Sequence, residues 1–268
     1  MPLPPLNDPA YLKKQYHDAA NLEARIQLHL RFSVNKYRWH PWVFDHLNLP
    51  AQCRILELGC GPGYLWQENI QRIPPGWEIT LSDFSAGMLA NARCALEKQR
   101  PFQFKVIDAQ SIPLEAGSFD AIIANHMLYH VPDLPAALAE IRRVLRPGGQ
   151  FYAATNGERH LGEIAEVVAK FDVELADWGK ISHVDQPFSL KNGLQQLSSY
   201  FTDIRLYCYE DALDVTEVGP LVDYILSGWA HNIVAGRQDQ FKEFLSREME
   251  ARSGVFHITK DAGLFVSG

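Results

Sequence analysis

The sequence predicts an α/β fold, a doubly wound and mostly parallel sheet. Three observations predict it. Short apolar runs that read as strands alternate with helical patterns of about 10–15 residues, which implies a parallel sheet covered on both faces. A glycine-rich turn, Gly59-Cys60-Gly61-Pro62-Gly63, follows the first such run and opens a helix. Ligands bind such sheets beyond the carboxyl ends of the strands, at turns of this kind. The 268 residues are 47% apolar and 21% charged, a mix that buries a sizeable core.

The elements follow in order. Residues 1–10 carry four prolines and read as extended chain. Over 11–31 the pattern is helical, with Leu22, Ile26 and Leu30 at four-residue steps. Trp39, Trp42, Val43, Phe44 and Leu47 form a second apolar segment, closed by Pro50. Residues 54–58 read as a strand stopped by Gly59, 64–72 as a helix and 77–81 as a strand. Ser85 is a helix cap, with Met88, Leu89, Ala92 and Leu96 on one face behind it. Residues 102–107 alternate as a strand, and 119–124 form another apolar run ending at Asn125. Asp133 caps a helix with Pro135 just inside; Pro147-Gly148-Gly149 stops it, and 150–155 is the next strand. Beyond that point, 161–171, 189–201, 218–226 and 241–249 read as helices and 204–209 as a strand. Residues 255–259 and 264–266 read as a terminal hairpin turning at Asp261-Ala262-Gly263.

Charge narrows the function. The net charge is −7, with 15 basic against 14 acidic side chains in residues 1–150 and 10 against 18 in residues 151–268. A nucleic-acid backbone calls for the opposite balance, so no nucleic-acid partner is expected. No run approaches the ~18 apolar residues of a membrane span. The proline-rich start, whose first basic residue is Lys13, lacks the pattern of a secretory signal. Cys53, Cys60, Cys94 and Cys208 make no Cys-x-x-Cys pair, which points to reduced thiols in a cytoplasmic protein.

The turns carry the chemistry. Glu57-x-Gly59-x-Gly61-x-Gly63 lets the backbone approach a ligand closely, and a helix start offers free N–H groups to it. No Gly-Lys-[Ser/Thr] follows, so this is not a P-loop, and the third glycine comes one residue early for a dinucleotide fingerprint. Asp83, about 20 residues on at the next strand end, has the chemistry to accept ribose hydroxyls. Asp108, after the third strand, suits an adenine amine; its ordinary reading is a solvated loop acid.

Residues 55–64 (Ile-Leu-Glu-Leu-Gly-Cys-Gly-Pro-Gly-Tyr) resemble motif I of the class I S-adenosylmethionine-dependent methyltransferases. Asp83-Phe84-Ser85, Asp108-Ala109, Ser118-Phe119-Asp120, Leu128-x-His130-Val131-Pro132-Asp133 and Arg146-Pro147-Gly148-Gly149 fall in order behind it. The match covers about residues 52–156 and is most similar to the small-molecule branch that includes the ubiquinone/menaquinone methyltransferases. The resemblance implies a Rossmann-like sheet of seven strands, one antiparallel, with an N-terminal helical lid over 1–50. It implies a cofactor-binding core over 51–157, helices and a cap over 158–200, and strands and helices completing the sheet over 201–268. The cofactor implied is S-adenosylmethionine, leaving S-adenosylhomocysteine. Gly59, Gly61 and Gly63 would hold its methionine part, with Glu57 orienting the ammonium and the Asn125 carbonyl accepting from it. Asp83 would bind the ribose, Phe84 and Met88 would flank the adenine, and Asp108 and Ala109 would meet its edge. Tyr16 would touch the cofactor from the lid.

The acceptor side is less determined. His126 and His130 lie just past the fourth strand, and their near-neutral pKa makes them the candidate general bases. Packing or hydrogen bonding is the ordinary reading of each. A metal shared by the two would lack further ligands, so none is expected. His29, Phe32, Asn35, Tyr37, Arg38, Trp39, His40 and Trp42 crowd one short segment, a lid suited to a planar or anionic small acceptor. Phe171, Trp178, His183 and Asp185 fall where this branch inserts cap elements. The function expected is methyl transfer to O, N or C of a small molecule, by a monomer or homodimer. The alternatives are an RNA or protein methyltransferase, or a protein of this fold that binds the cofactor without transferring methyl.

Overall fold

The computed structural model describes residues 20–172, 186–227 and 236–268. Tyr16, Trp178, His183 and Asp185 lie outside them. Five strands run parallel: β1 (Gln52–Leu58), β2 (Gly76–Asp83), β3 (Gln103–Val106), β4 (Phe119–Asn125) and β5 (Leu145–Asn156). With β6 (Arg205–Val215) and β7 (Phe256–Ser267) they form a seven-stranded sheet in the order β3-β2-β1-β4-β5-β7-β6. β7 is antiparallel to both its neighbours. The order reverses between β1 and β4, where Glu57 stands opposite Ile123 and Leu58 opposite Ala124. That reversal is the crevice in which open α/β sheets bind ligands.

Side-chain alternation sends successive strand residues to two cores. Ile55, Ile79, Leu81 and Ile123 pack with α2 (Trp39–Asp45), α3 (Tyr64–Gln67) and α4 (Ala86–Leu96). Leu56, Leu58, Ile122, Ala124 and Phe151 pack with α5 (Leu134–Val144) and α7 (Gly193–Leu197). Each fully buried Leu or Ile contributes about 1.5–3 kcal/mol relative to exposure. The two expected caps are present. Ser85 Oγ accepts from the Met88 N–H, and Asp133 Oδ1 accepts from the Ala136 N–H at 3.0 Å.

A third core sits beyond the carboxyl ends of the strands. β5 pairs with β7 only as far as Asn156 and Ala262, whereas β6 and β7 continue paired to Val215 and Phe256. This overhanging ribbon is packed by α1 (Ala20–Phe32), α6 (Gly162–Phe171), α8 (Val218–Leu226) and α9 (Gln238–Glu250). Leu28, Val167, Phe241 and Leu245 meet Leu213, Phe256 and Ile258 there. Phe171 belongs to this core, with its ring 5.0 Å from that of Phe241.

Four local expectations are corrected. The terminal hairpin is a single strand, β7, because eleven successive register pairs with β6 override the turn chemistry of Asp261-Ala262-Gly263. Gly263 is instead a close-approach position, where a Cβ would lie 2.7 Å from the Tyr207 carbonyl. The helix expected over 64–72 breaks into α3 and a 3₁₀ turn at Ile70–Arg72. The Asn69 side chain donates to the carbonyls of Leu65 and His40 there, taking an acceptor the helix would need. The helix expected over 189–201 shrinks to α7. Asn192 Oδ1 caps a turn by accepting from Ser189 N–H at 2.7 Å, and the N–H groups of Tyr200 and Phe201 both end on the Leu197 carbonyl. Finally, β5 begins at Leu145, so Pro147 lies within a strand, beside the register irregularity at Phe119/Ala121. Strands tolerate proline at such irregularities.

Candidate active site

The glycine turn leaves β1 in left-handed backbone, with φ of +65° at Gly59, +53° at Gly61 and +83° at Gly63. Any other residue is strained there. Space is also closed: a Cβ on Gly59 would lie 2.7 Å from Met127 Cβ, and one on Gly63 2.7 Å from Leu96 Cδ1. The loop is thus pressed against the segment after β4. The Gly61 N–H donates to Asp83 Oδ2 at 2.9 Å, and the Ser85 N–H donates to Asp83 Oδ1 at 2.8 Å. Each carboxylate oxygen keeps a further lone pair for a ligand. Burial raises the Asp83 pKa, against the two backbone donors that lower it.

Phe84 follows, 59% exposed, an apolar ring left beside the site. Met88 is buried at the start of α4. Asp108, half-buried beyond β3, accepts from the Gln110 N–H at 2.9 Å and is held again by Gln110 Nε2. Gln110 Oε1 in turn accepts from Asp133 N–H, so one glutamine ties this turn to the α5 cap. Ala109 is buried.

Glu57 is buried, 2% exposed, on the β1 face shared with Ile55. Its Oε2 accepts from Trp66 Nε1–H at 2.5 Å. Desolvation pushes its pKa up to about 8, opposed by the Trp66 hydrogen bond and aided by the charge of Asp83. The carboxyl is therefore protonated at neutral pH until a cation approaches it.

At the end of β4 stands Asn125, whose Oδ1 accepts from Trp39 Nε1–H at 3.2 Å. His126 has φ of +57°, an uncommon backbone for a non-glycine residue and a kind of strain found at functional sites. Its ring lies 4.8 Å from that of Trp39. Burial, reinforced by nearby His40, Lys260 and His130, pulls its pKa down to about 3. It is neutral at pH 7 and a weak base. The His130 ring meets that of Tyr129 at 4.4 Å.

The segment after α1 is tied to the far edge of the sheet. The Val34 N–H donates to the Ala212 carbonyl, the Asn35 N–H to Asp211 Oδ1 at 2.9 Å, and the Ser33 hydroxyl to Asp211 Oδ2. Tyr209 Oη–H donates to the Tyr37 carbonyl, and the Tyr209 ring lies 5.2 Å from both Trp39 and Trp42. Lys260 Nζ donates to Asp211 Oδ2 at 2.6 Å and sits 5.3 Å from the Tyr209 ring. Burial lowers the Lys260 pKa, which the Asp211 hydrogen bond opposes. His29 is neutral too, pulled down to about 3 by burial and then by Lys260. His160, just past β5, accepts the Asp261 N–H on Nδ1. Sequence reasoning did not single out Lys260, Asp211 or Tyr209. They lie on strands whose pairing no local pattern specifies, and Lys260 falls between the expected arm 255–259 and the expected turn at Asp261. Among the described residues, no cluster of His, Cys, Asp and Glu is arranged to hold a metal ion.

The structure therefore brings Glu57, the three glycines, Asp83, Phe84, Asp108, Asn125, His126 and His130 to one end of the sheet. The methyltransferase-domain family matches residues 56–153. A bifunctional biotin biosynthesis protein, BioHC, of Saccharophagus degradans is 30% identical over 234 residues, which is 81% of this chain and 40% of that protein. The chain thus spans two fifths of that relative. A ubiquinone biosynthesis O-methyltransferase of Xanthomonas axonopodis is 31% identical over 166 residues, 60% of this chain and 68% of that enzyme. The fold matches a phosphoethanolamine N-methyltransferase of Haemonchus contortus solved with S-adenosylmethionine. Its TM-score is 0.59 at 15% identity, over 99% of this chain and 60% of that one. The motif order, the 3-2-1-4-5-7-6 sheet and these similarities agree, and the chain belongs to the class I S-adenosylmethionine-dependent methyltransferases.

Proposed function

We propose that the chain transfers a methyl group from S-adenosylmethionine to O, N or C of a small molecule, chiefly by holding the two in line. The observation that carries this is the Asp83 carboxylate, bonded to the Gly61 and Ser85 N–H groups, beside the bare ring of Phe84. That arrangement suits a ribose with an adenine stacked next to it. When bound, the cofactor supplies an electrophilic methyl group on a sulfonium. Asp83 accepts the ribose hydroxyls, and Phe84 covers one adenine face with Met88 behind it. Asp108 and Ala109 meet the adenine edge. The glycine turn over Gly59, Gly61 and Gly63 lies along the methionine part. Glu57 and the Asn125 carbonyl receive the ammonium. His130, or less effectively the weakly basic His126, takes a proton where the acceptor must lose one.

The small-molecule assignment draws on the acidic charge balance and on the ubiquinone enzyme named above. A nucleic-acid acceptor fits neither. The test is calorimetric titration with S-adenosylmethionine. Wild type binds, and Asp83→Ala binds about tenfold to a hundredfold more weakly, the loss of one or two hydrogen bonds to a charged group. Equal affinity in the two proteins removes Asp83 from the site. S-adenosylhomocysteine formed with a protein-free metabolite extract, and not with RNA or protein, supports the small acceptor. Binding without turnover on any of the three supports a protein that holds the cofactor without transferring methyl.

A further inference from the structure

One buried cation lies on the acceptor side, and the transfer reading does not use it. Lys260 is on β7, in the ribbon that overhangs the end of β5, and its side chain is 10% exposed. Among the described residues its ammonium donates to Asp211 Oδ2 alone, although an ammonium has three N–H donors. Asp211 is already satisfied by the Ser33 hydroxyl and by the N–H groups of Asn35 and Ala212. The spare donor capacity therefore belongs to Lys260. Two buried atoms on the same side also lack a partner, His29 Nδ1 and Asn156 Oδ1. Asn156 pairs with Ala262, two residues from Lys260 along β7, and His29 is within electrostatic reach of Lys260. Buried polar atoms are nearly always paired, so a polar partner, a water or a ligand group, is expected beside these atoms.

Aromatic rings connect this cation to the methyl-delivery end. Lys260 sits against Tyr209, Tyr209 against Trp39, and Trp39 against His126. β5 lies between β4 and β7, so the two ends are two strand spacings apart, roughly 10 Å. Building on the small-acceptor reading above, we propose that Lys260 anchors an oxyanion of the acceptor, a carboxylate or a phosphate, while the acceptor's planar body lies along Trp39, with the buried Tyr209 ring as backing. The methylated atom is then at the opposite end from the anion, beside His126. Lys260 is a specificity-determining residue, and the acceptor class is an anionic ring compound.

The probes are benzoate, phenyl phosphate, benzyl alcohol and benzylamine, each titrated calorimetrically into protein saturated with S-adenosylhomocysteine. At least one anion is expected to bind about tenfold or more tightly than the alcohol, the worth of a charge-assisted hydrogen bond, and the amine least of all. Which anion binds tighter separates carboxylate from phosphate. Replacing Lys260 alone would leave Asp211 as an unpaired buried charge, so the test variant is Lys260→Met with Asp211→Asn. It should lose the preference for the anion and retain its affinity for S-adenosylhomocysteine, while Lys260→Arg keeps the preference. The proposal is overturned if wild type binds the alcohol or the amine as tightly as the anions, or if the double variant keeps the preference. Failure of wild type to bind S-adenosylhomocysteine is a different result and refutes the methyl-transfer reading instead.

Discussion

Among the described residues Glu57 is an acid held without a counter-ion, and this has a measurable consequence. Its pKa of about 8 follows first from burial. With the cofactor ammonium at Glu57, as proposed above, the charged form is restored, so cofactor uptake at pH 7 should expel close to one proton. Calorimetry at pH 7 in buffers of different ionisation enthalpy reads that number directly. Glu57→Gln should bind without proton release, and release that persists in this variant assigns the proton to another group. Glu57 was nameable from motif I alone, because a carboxylate before the first glycine is a local pattern. Its protonation was not, since that depends on Trp66 and on the core around both.

At the scale of the element, the glycine turn combines two constraints. Gly59→Ala forces a side chain into left-handed backbone, about 1–2 kcal/mol, and drives its Cβ into Met127. Gly148→Ala is the matched control, with φ of +72° and nothing within 4 Å of the new Cβ. Urea unfolding should show Gly148→Ala losing only the backbone strain and Gly59→Ala losing clearly more, together with S-adenosylmethionine binding. Similar losses would mean that the segment after β4 yields to the methyl. The parallel strands and their caps were legible in the sequence because each depends on a short apolar run, a cap or a glycine. The last two strands were not. β6 runs six residues past its expected end, and β7 reads locally as two arms and a turn. Both get their shape from pairing with one another, which is a non-local interaction. The same non-locality hid Lys260 and Asp211, one on each of these strands.

For the whole molecule, three buried groups set opposite slopes of stability against pH. His29 and His126 are held neutral down to about pH 3, while the unfolded chain takes up protons on both near 6.5. Their contribution is complete above 6.5 and is lost as pH falls through that window. Glu57 keeps its proton up to about pH 8 in the fold but loses it near 4.5 when unfolded. Its contribution is present below 4.5 and is lost as pH rises to 8. Between 4.5 and 6.5 the two histidines outweigh the one carboxyl; between 6.5 and 8 the carboxyl acts alone. These three groups together place the stability maximum of the ligand-free protein near pH 6.5, with a fall of about 2 kcal/mol by pH 8. Urea midpoints from pH 5 to 8.5 check this, and Glu57→Gln should flatten the alkaline arm. A midpoint still rising at pH 8 would contradict it.

The position of β7 also orders the protein's biosynthesis. β7 follows β6 in the chain yet lies between β6 and β5 in the sheet. A chain emerging from the ribosome can therefore close β1 to β5 and its glycine turn while β6 still has no neighbour. The contacts of Ser33 and Asn35 wait as well, because Asp211 is on that unpaired strand. Until Phe256 and the residues after it have emerged, the nascent protein has its five parallel strands and no ribbon beyond them.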